Sequence, residues 1–80
     1  MTVSAAFSIR GRGTVVSGRI EEGSVCVGDE VQLHGETLRV DGIEASRARV
    51  EEAHAGTDVG LLFGALDKGA VRRGDVIGGF

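Results

Sequence analysis

Between Phe7 and Ile20 two apolar, β-branched runs meet at the punctuation Gly11-Arg12-Gly13. Phe7 and Ile9 alternate with Ser8 and Arg10, the two-residue period of a half-buried strand. Thr14, Val15 and Val16 restart a strand, because stiff β-branched side chains suit a pleated surface better than a helix. Gly11 and Gly13 tolerate positive φ or close backbone approach, so the spacing predicts a tight hairpin. Arg10, Arg12 and Arg19 make the segment cationic, with no acid before Glu21. A lone hairpin is marginal in water, so the remaining residues must close a core over it.

Fourteen glycines and no proline punctuate the chain. Val25-Cys26-Val27-Gly28-Asp29-Glu30-Val31 is echoed by Val71-Arg72-Arg73-Gly74-Asp75-Val76-Ile77. In both, an apolar residue anchors the approach, Gly-Asp makes a turn and a strand leaves. Val31-Gln32-Leu33 reads as a short strand ending at His34-Gly35-Glu36. Leu38 to Glu44 alternates strictly until Gly42, where a glycine in the run marks a shift of face, a bulge or a bend. Ala45 to Ala55 reads as a loop with a short strand near Arg49, one helical turn being the competing reading. Val59-Gly60-Leu61-Leu62-Phe63 is the most apolar run and reads as a strand buried on both faces. Gly64 to Gly74 is a polar connection, and Asp75-Val76-Ile77 a closing strand. About six short strands at near-regular spacing indicate an all-β domain, a small six-stranded closed β-barrel over residues 1–80, with its edges hidden by closure.

The 80 residues suffice for one domain, burying about 60–65% of the unfolded surface. The single cysteine, Cys26, permits no internal disulfide, which fits a reduced, cytoplasmic setting. Flanked by valines, Cys26 reads as a small core thiol rather than a nucleophile. No apolar run approaches a membrane span of roughly 20 residues. The net charge of −3 argues against a general nucleic-acid binder, and hence against DNA as a partner. Three Phe with no Tyr or Trp give a base-stacking platform little material.

Gly11-Arg12-Gly13 does not open a dinucleotide fingerprint, since Val16 stands where the third glycine belongs and no helix follows. No Gly-Lys pair exists for a P-loop. His34 and His54 are isolated beside turns, Glu51-Glu52 is a solvated pair, and no metal spacing appears. The expectation is therefore no catalytic site, no metal and no cofactor.

Phe7-Ser8-Ile9-Arg10-Gly11-Arg12-Gly13-Thr14-Val15-Val16-Ser17-Gly18-Arg19-Ile20 resembles the second domain of translational GTPases, as in elongation factor Tu and the selenocysteine-specific factor. The resemblance continues, in order and spacing, through Val27-Gly28-Asp29-Glu30-Val31, Gly42-Ile43-Glu44, Arg47, Ala55 to Leu62, and Arg73 to Ile77. It implies a six-stranded Greek-key barrel without catalytic role. Such a domain packs on a GTPase domain, here in cis or in trans, and holds the aminoacyl 3′ end of tRNA or contacts the ribosome. Position by position, the resemblance implies that Phe7, Ile9, Gly11, Val15, Ser17 and Leu62 belong to the aminoacyl pocket. Glu44 matches the acid against which the terminal adenosine packs, and Arg47 the basic residue at the terminal phosphate. An apolar recess tolerates varied side chains, while an arginine holds phosphate without reading sequence.

The sequence also departs from that pattern. Ser4 and Ala5 replace an acidic pair, Ala45-Ser46-Arg47-Ala48 replaces a Met-aromatic-Arg-Lys run, and Asp58 replaces an asparagine and would repel phosphate unless neutralised. Phe63 replaces a common arginine. As an exposed aromatic it would anchor a protein partner, and with these polar residues changed the alternative reading is a protein–protein module or a diverged remnant with no tRNA binding. A flavin-reductase-like enzyme of related shape is the third reading, and it lacks a visible cofactor site.

Overall fold

The computed structural model describes residues 1–80 and consists of short strands joined by tight turns. In chain order they are β1 Thr2–Ile9, β2 Gly13–Arg19, β3 Ser24–Cys26, β4 Glu30–Leu33, β5 Glu36–Arg39, β6 Gly42–Ala45, β7 Ala48–Val50, β8 Glu52–His54 and β9 Asp58–Phe63. One 3₁₀ turn, Lys68–Ala70, interrupts the polar connection after β9. No helix is long and apolar enough to cross a membrane.

The strands form a five-stranded antiparallel sheet in the order β1-β2-β9-β6-β7 and two hairpin-sized pairs, β3-β8 and β4-β5. The expected closed six-stranded ladder is not what the hydrogen bonds draw: nine strands divide among three sheets. The opening strand starts at Thr2 rather than Phe7. The run Leu38 to Glu44 splits into β5 and β6, because the chain changes partners at Val40-Asp41. Val40 N–H donates to the Asp29 carbonyl (2.9 Å), and Asp41 N–H to the Leu62 carbonyl (2.8 Å). The short strand expected near Arg49 is β7, and β8 follows it directly.

The anticipated closing strand at Asp75-Val76-Ile77 is a strap rather than a ladder. Isolated bridges join Val76 to Thr2 and Gly78 to Gln32, so the strap spans the gap between β1 and β4. Its turn repeats the earlier one bond for bond. Asp29 accepts the Cys26 N–H and Asp75 accepts the Arg72 N–H, each at 2.8 Å. Gly28 N–H donates to the Val40 carbonyl and Gly74 N–H to the Val3 carbonyl, each at 2.8 Å. Both glycines hold φ near the left-handed region, 95° and 93°, which L side chains resist. The two V-x-x-G-D motifs are therefore one turn used twice, each delivering a buried Val31 or Ile77 into the core.

The core lies inside these sheets. Val16, Ile20, Val31, Val40, Leu61, Phe63 and Ile77 are fully enclosed. Thr14 is the buried polar residue, and its hydroxyl donates to the Leu66 carbonyl at 2.7 Å. That bond satisfies a group that would otherwise be costly to bury. Two expectations fail here. The run Val59 to Phe63 is not buried on both faces: Val59, Leu61 and Phe63 are buried, while Gly60 and Leu62 are half-exposed. Phe63 is 1% exposed, so it is a core residue and not a surface anchor. The β9 pleat points it inward with Val59 and Leu61.

Candidate functional site

The outer face of the five-stranded sheet carries an open recess of about 480 Å³. Strand register explains its composition, because side chains two apart share a face and paired residues lie side by side. The first cross-sheet row reads Phe7, Val15, Leu62, Gly42. It is an apolar strip, extended by Ile9. The next row reads Ala5, Ser17, Gly60, Glu44, Arg49, and is mostly polar. Beyond it Arg19 pairs with Asp58. Along β9 the strip runs four residue steps from Leu62 to Asp58, about 13 Å at the rise of an extended chain. The recess thus grades from apolar to charged over a distance comparable to a nucleotide.

Two glycines shape it. A Cβ on Gly60 would sit 3.1 Å from Val15 Cγ1, tighter than ordinary contact, so glycine deepens the floor at this point. Gly13, at φ 120°, lies so close to β9 that a Cβ would overlap the Phe63 carbonyl oxygen and approach Gly64 Cα to 2.7 Å. This locks β2 against the end of β9.

Of the residues singled out from sequence, Phe7, Ile9, Val15, Ser17, Glu44, Arg47, Asp58 and Leu62 all line this recess. Phe7 and Ile9 are large apolar residues left exposed, at 53% and 38%. Gly11 is not part of the wall: it sits in the β1–β2 turn at φ 73°, with open space around it. Asp58 is neutralised in place, because Arg19 Nε donates to its Oδ1 at 3.2 Å. Both partners are well exposed, so this pair is weak and exchangeable.

Sequence reading missed Arg12 and Arg49, which also line the recess. Arg49 comes to the recess through the ladder, directly opposite Glu44, a pairing that the local sequence does not show. The β6–β7 connection is a two-residue turn closed by Ala45 opposite Ala48. Its central residues Ser46 and Arg47 both hold positive φ, 51° and 64°, the backbone of a type I′ turn usually made with Asn-Gly.

The remaining titratable groups lie elsewhere. Burial pushes the Cys26 thiol up, with Asp29 and Glu52 adding to the effect, and Cys26 Sγ approaches Glu52 Oε2 at 3.7 Å. Asp75 is held below the usual carboxylate range, first by the Arg72 N–H, then by His34, whose Nε2 lies 3.0 Å from Oδ2. Neither group faces the recess.

These features define a small all-β domain with one open recess, apolar at one end and charged at the other. Comparison with known proteins gives the family. The model of the family described as elongation factor Tu domain 2 matches residues 13–78. The chain belongs to that family, which supplies a non-catalytic domain of translational GTPases. Among solved structures it is similar to the translation elongation factor SelB from Methanococcus maripaludis in its apo form, with 36% identity over 98% of this chain and a TM-score of 0.89. The same factor in complex with the GTP analogue GppNHp gives 36% identity and a TM-score of 0.88. A bacterial selenocysteine-specific elongation factor, EF-Sec, gives 34% identity over 96% of this chain and a TM-score of 0.88. The chain spans 18% of the length of the SelB chains and 14% of the EF-Sec chain.

Proposed function

We propose that residues 1–80 form one translation-factor second domain, whose recess receives the aminoacylated 3′ end of a tRNA. On this reading the three sheets and the strap act as one six-stranded Greek-key barrel. The backbone bonds from the strap to Val3, Met1 and Gln32 support that closure. Phe7, Ile9, Val15 and Leu62 form the apolar wall beside the aminoacyl group, with Ser17 at its polar edge. Glu44 takes the terminal adenosine and Arg47 its phosphate. Asp58, balanced by Arg19, sits at the rim, and Gly11 serves the turn that presents Ile9 and Arg12. The domain has no chemistry of its own. It works in the cytoplasm with a GTPase domain, in cis or in trans, which supplies nucleotide hydrolysis.

The observation that carries this reading is the gathering of residues distant in sequence, from Phe7 to Leu62, around one recess with an apolar and a charged end. The alternative of a protein-docking module loses its motive, since Phe63 is enclosed in the core. The test is a titration of isotopically labelled protein with aminoacyl-tRNA. Amides of Phe7, Ile9, Glu44 and Arg47 shift, while those of Cys26 and Glu52 on the β3–β8 pair do not. Silence of the recess amides at near-millimolar concentration overturns the proposal.

A further inference from the structure

The five-stranded sheet ends in two unlike edges. At one, β7 is only Ala48–Val50, with Arg49 at its centre. At the other, β1 runs from Thr2 to Ile9 without a charge or a proline. Short length, charge, proline and bulges are the means by which soluble proteins keep sheet edges from pairing. Of these β1 has only a bulge, between Val3 and Ala5, where the strap leaves off. The strap covers the start of the strand: Val3 N–H donates to the Asp75 carbonyl, and the Val3 carbonyl accepts from Gly74 N–H, each at 2.8 Å. From Ser4 to Ile9 the backbone bonds of β1 go to β2 or into the hairpin turn, and no strand lies along the outer side.

The free charges around this open stretch are of one sign. Arg10 and Arg12 follow it in the β1–β2 turn, both exposed. Arg73, exposed and next to the strap's Gly74, borders a cleft together with Ser4 at the other end. None of the three is in an ion pair; the pairs present are Arg19–Asp58, His34–Asp75 and His54–Glu52. The acids at the Ser4 end are already bonded. Glu21 accepts the Thr2 hydroxyl at 3.1 Å, Asp58 accepts Arg19 Nε, and Asp75 Oδ2 accepts the Arg72 N–H and lies 3.0 Å from His34 Nε2.

We propose that the outer edge of β1, from Ser4 to Ile9, is a docking site for an extended acidic segment of a partner protein, which adds to the sheet as a further strand. The site goes beyond the recess, since it is made by backbone at the edge of the sheet rather than by side chains on its face. In strand addition the main-chain hydrogen bonds supply affinity and alternate side chains supply specificity. One face of the added strand packs beside Phe7 and Ile9, which are exposed on the recess side of β1. Acids at its ends meet Arg10 and Arg12 at one side and Arg73 at the other. A second copy of this chain is the wrong occupant. Two β1 strands paired antiparallel over this stretch bring Arg10 of each beside Ser4 of the other, where Arg73 stands, and like charges facing one another across a sheet are unfavourable.

The probe is the synthetic peptide acetyl-Asp-Glu-Val-Thr-Val-Thr-Val-Glu-Asp-amide, titrated into the isotopically labelled whole chain. The amides between Ser4 and Ile9 shift and some exchange more slowly with solvent, while those of Ala48 to Val50 on the opposite edge do not respond. Proline in place of both threonines of the peptide removes backbone donors and abolishes the response. Lysine in place of its acids weakens binding about tenfold, the scale of a few exposed charge contacts. Arg10→Glu combined with Arg73→Glu reverses that preference, and because both side chains are exposed its amide spectrum otherwise matches the parent. Silence of the β1 amides at near-millimolar peptide overturns the proposal, as does undiminished binding of the proline peptide. Equal affinity for the acidic and lysine peptides overturns the acidic occupant. Slowed exchange along β1 that grows with protein concentration alone assigns the edge to a second copy and overturns it as well. The aminoacyl-tRNA titration is separate from all of these, so the recess reading stands or falls independently.

Discussion

Leu61 and Leu62 are neighbours with the same side chain and opposite fates. Leu61 is fully enclosed in the core, and Leu62 is a half-exposed part of the recess floor. The pleat separates them, because successive residues of β9 point to opposite faces of the sheet. The inner face of β2 and β9 carries Thr14, Val16, Val59, Leu61 and Phe63; the outer face carries Val15, Ser17, Gly60 and Leu62. Apolar character alone therefore does not separate stability from function in this domain. Enclosure does: the inner face has its partners within the chain, and the outer face holds apolar surface with nothing of its own to cover it. Exposed apolar patches rimmed by polar residues mark interaction sites in soluble proteins, which is what the proposed function asks of the outer face.

The largest break in this comparison comes from the inner face. Leu61→Ala removes a fully buried side chain from a packed core and costs about 2–5 kcal/mol, as large-to-small core changes do. In a chain this small such a loss approaches the whole stability, so chemical denaturation either shifts its midpoint strongly or finds the variant unfolded. A Leu61→Ala protein that melts like the parent shows that the inner face is not the core. Thr14→Val is the next largest. It keeps the shape but leaves the Leu66 carbonyl, 2.7 Å from the lost hydroxyl, without that donor, at a cost of roughly 1–3 kcal/mol. The same denaturation curves read it, and an unchanged midpoint assigns the bond no net value.

How much of this was legible in advance follows from the same pleat. The hairpin from Phe7 to Arg19 is legible because alternation and the paired glycines Gly11 and Gly13 agree on one register. The two Gly-Asp turns were readable because a left-handed glycine followed by an aspartate that caps its own turn is local chemistry. Phe63 reads as exposed because it stands where the resembling pattern has an arginine, and the run Val59 to Phe63 has no polar residue to show the alternation that buries it. Arg49 was overlooked because the region from Ala45 to Ala55 looks helix-favouring and gives no period from which to place it. Asp75-Val76-Ile77 reads as a closing strand because it leaves a Gly-Asp turn as Glu30-Val31 does, yet the bridges it makes are single. The division of the strands among three sheets depends on contacts far apart in sequence, and no local pattern encodes those.

The smaller predictions concern the outer face, where stability and binding part company. Leu62→Ala removes apolar surface that is already partly in water, so it costs about 1 kcal/mol, below the range for a fully buried leucine. Thermal melts check that figure, and the aminoacyl-tRNA titration of the same variant shows a clear loss of affinity. A Leu62→Ala protein as damaged as Leu61→Ala removes the distinction between the two faces.

Gly60→Ala isolates the recess most cleanly. Replacing a strand glycine with alanine lowers the entropy of the unfolded chain, a gain of about 0.5–1 kcal/mol. Against it stands the new Cβ, 3.1 Å from Val15 Cγ1, which valine's stiff χ1 cannot easily avoid. The two effects are opposed and similar in size, so the net change in stability lies within about 0.5 kcal/mol. The methyl group nonetheless rises from the floor between Val15 and the Glu44 row, where the apolar and charged ends of the recess meet. Denaturation of this variant is expected to superimpose on that of the parent, while its response to aminoacyl-tRNA is reduced several-fold, about the effect of misplacing one contact group. Unchanged binding alongside unchanged stability shows that the ligand does not reach the floor at Gly60. A large loss of stability instead shows that the outer face of β9 packs as tightly as the inner one, and the division of roles between Leu61 and Leu62 then fails with it.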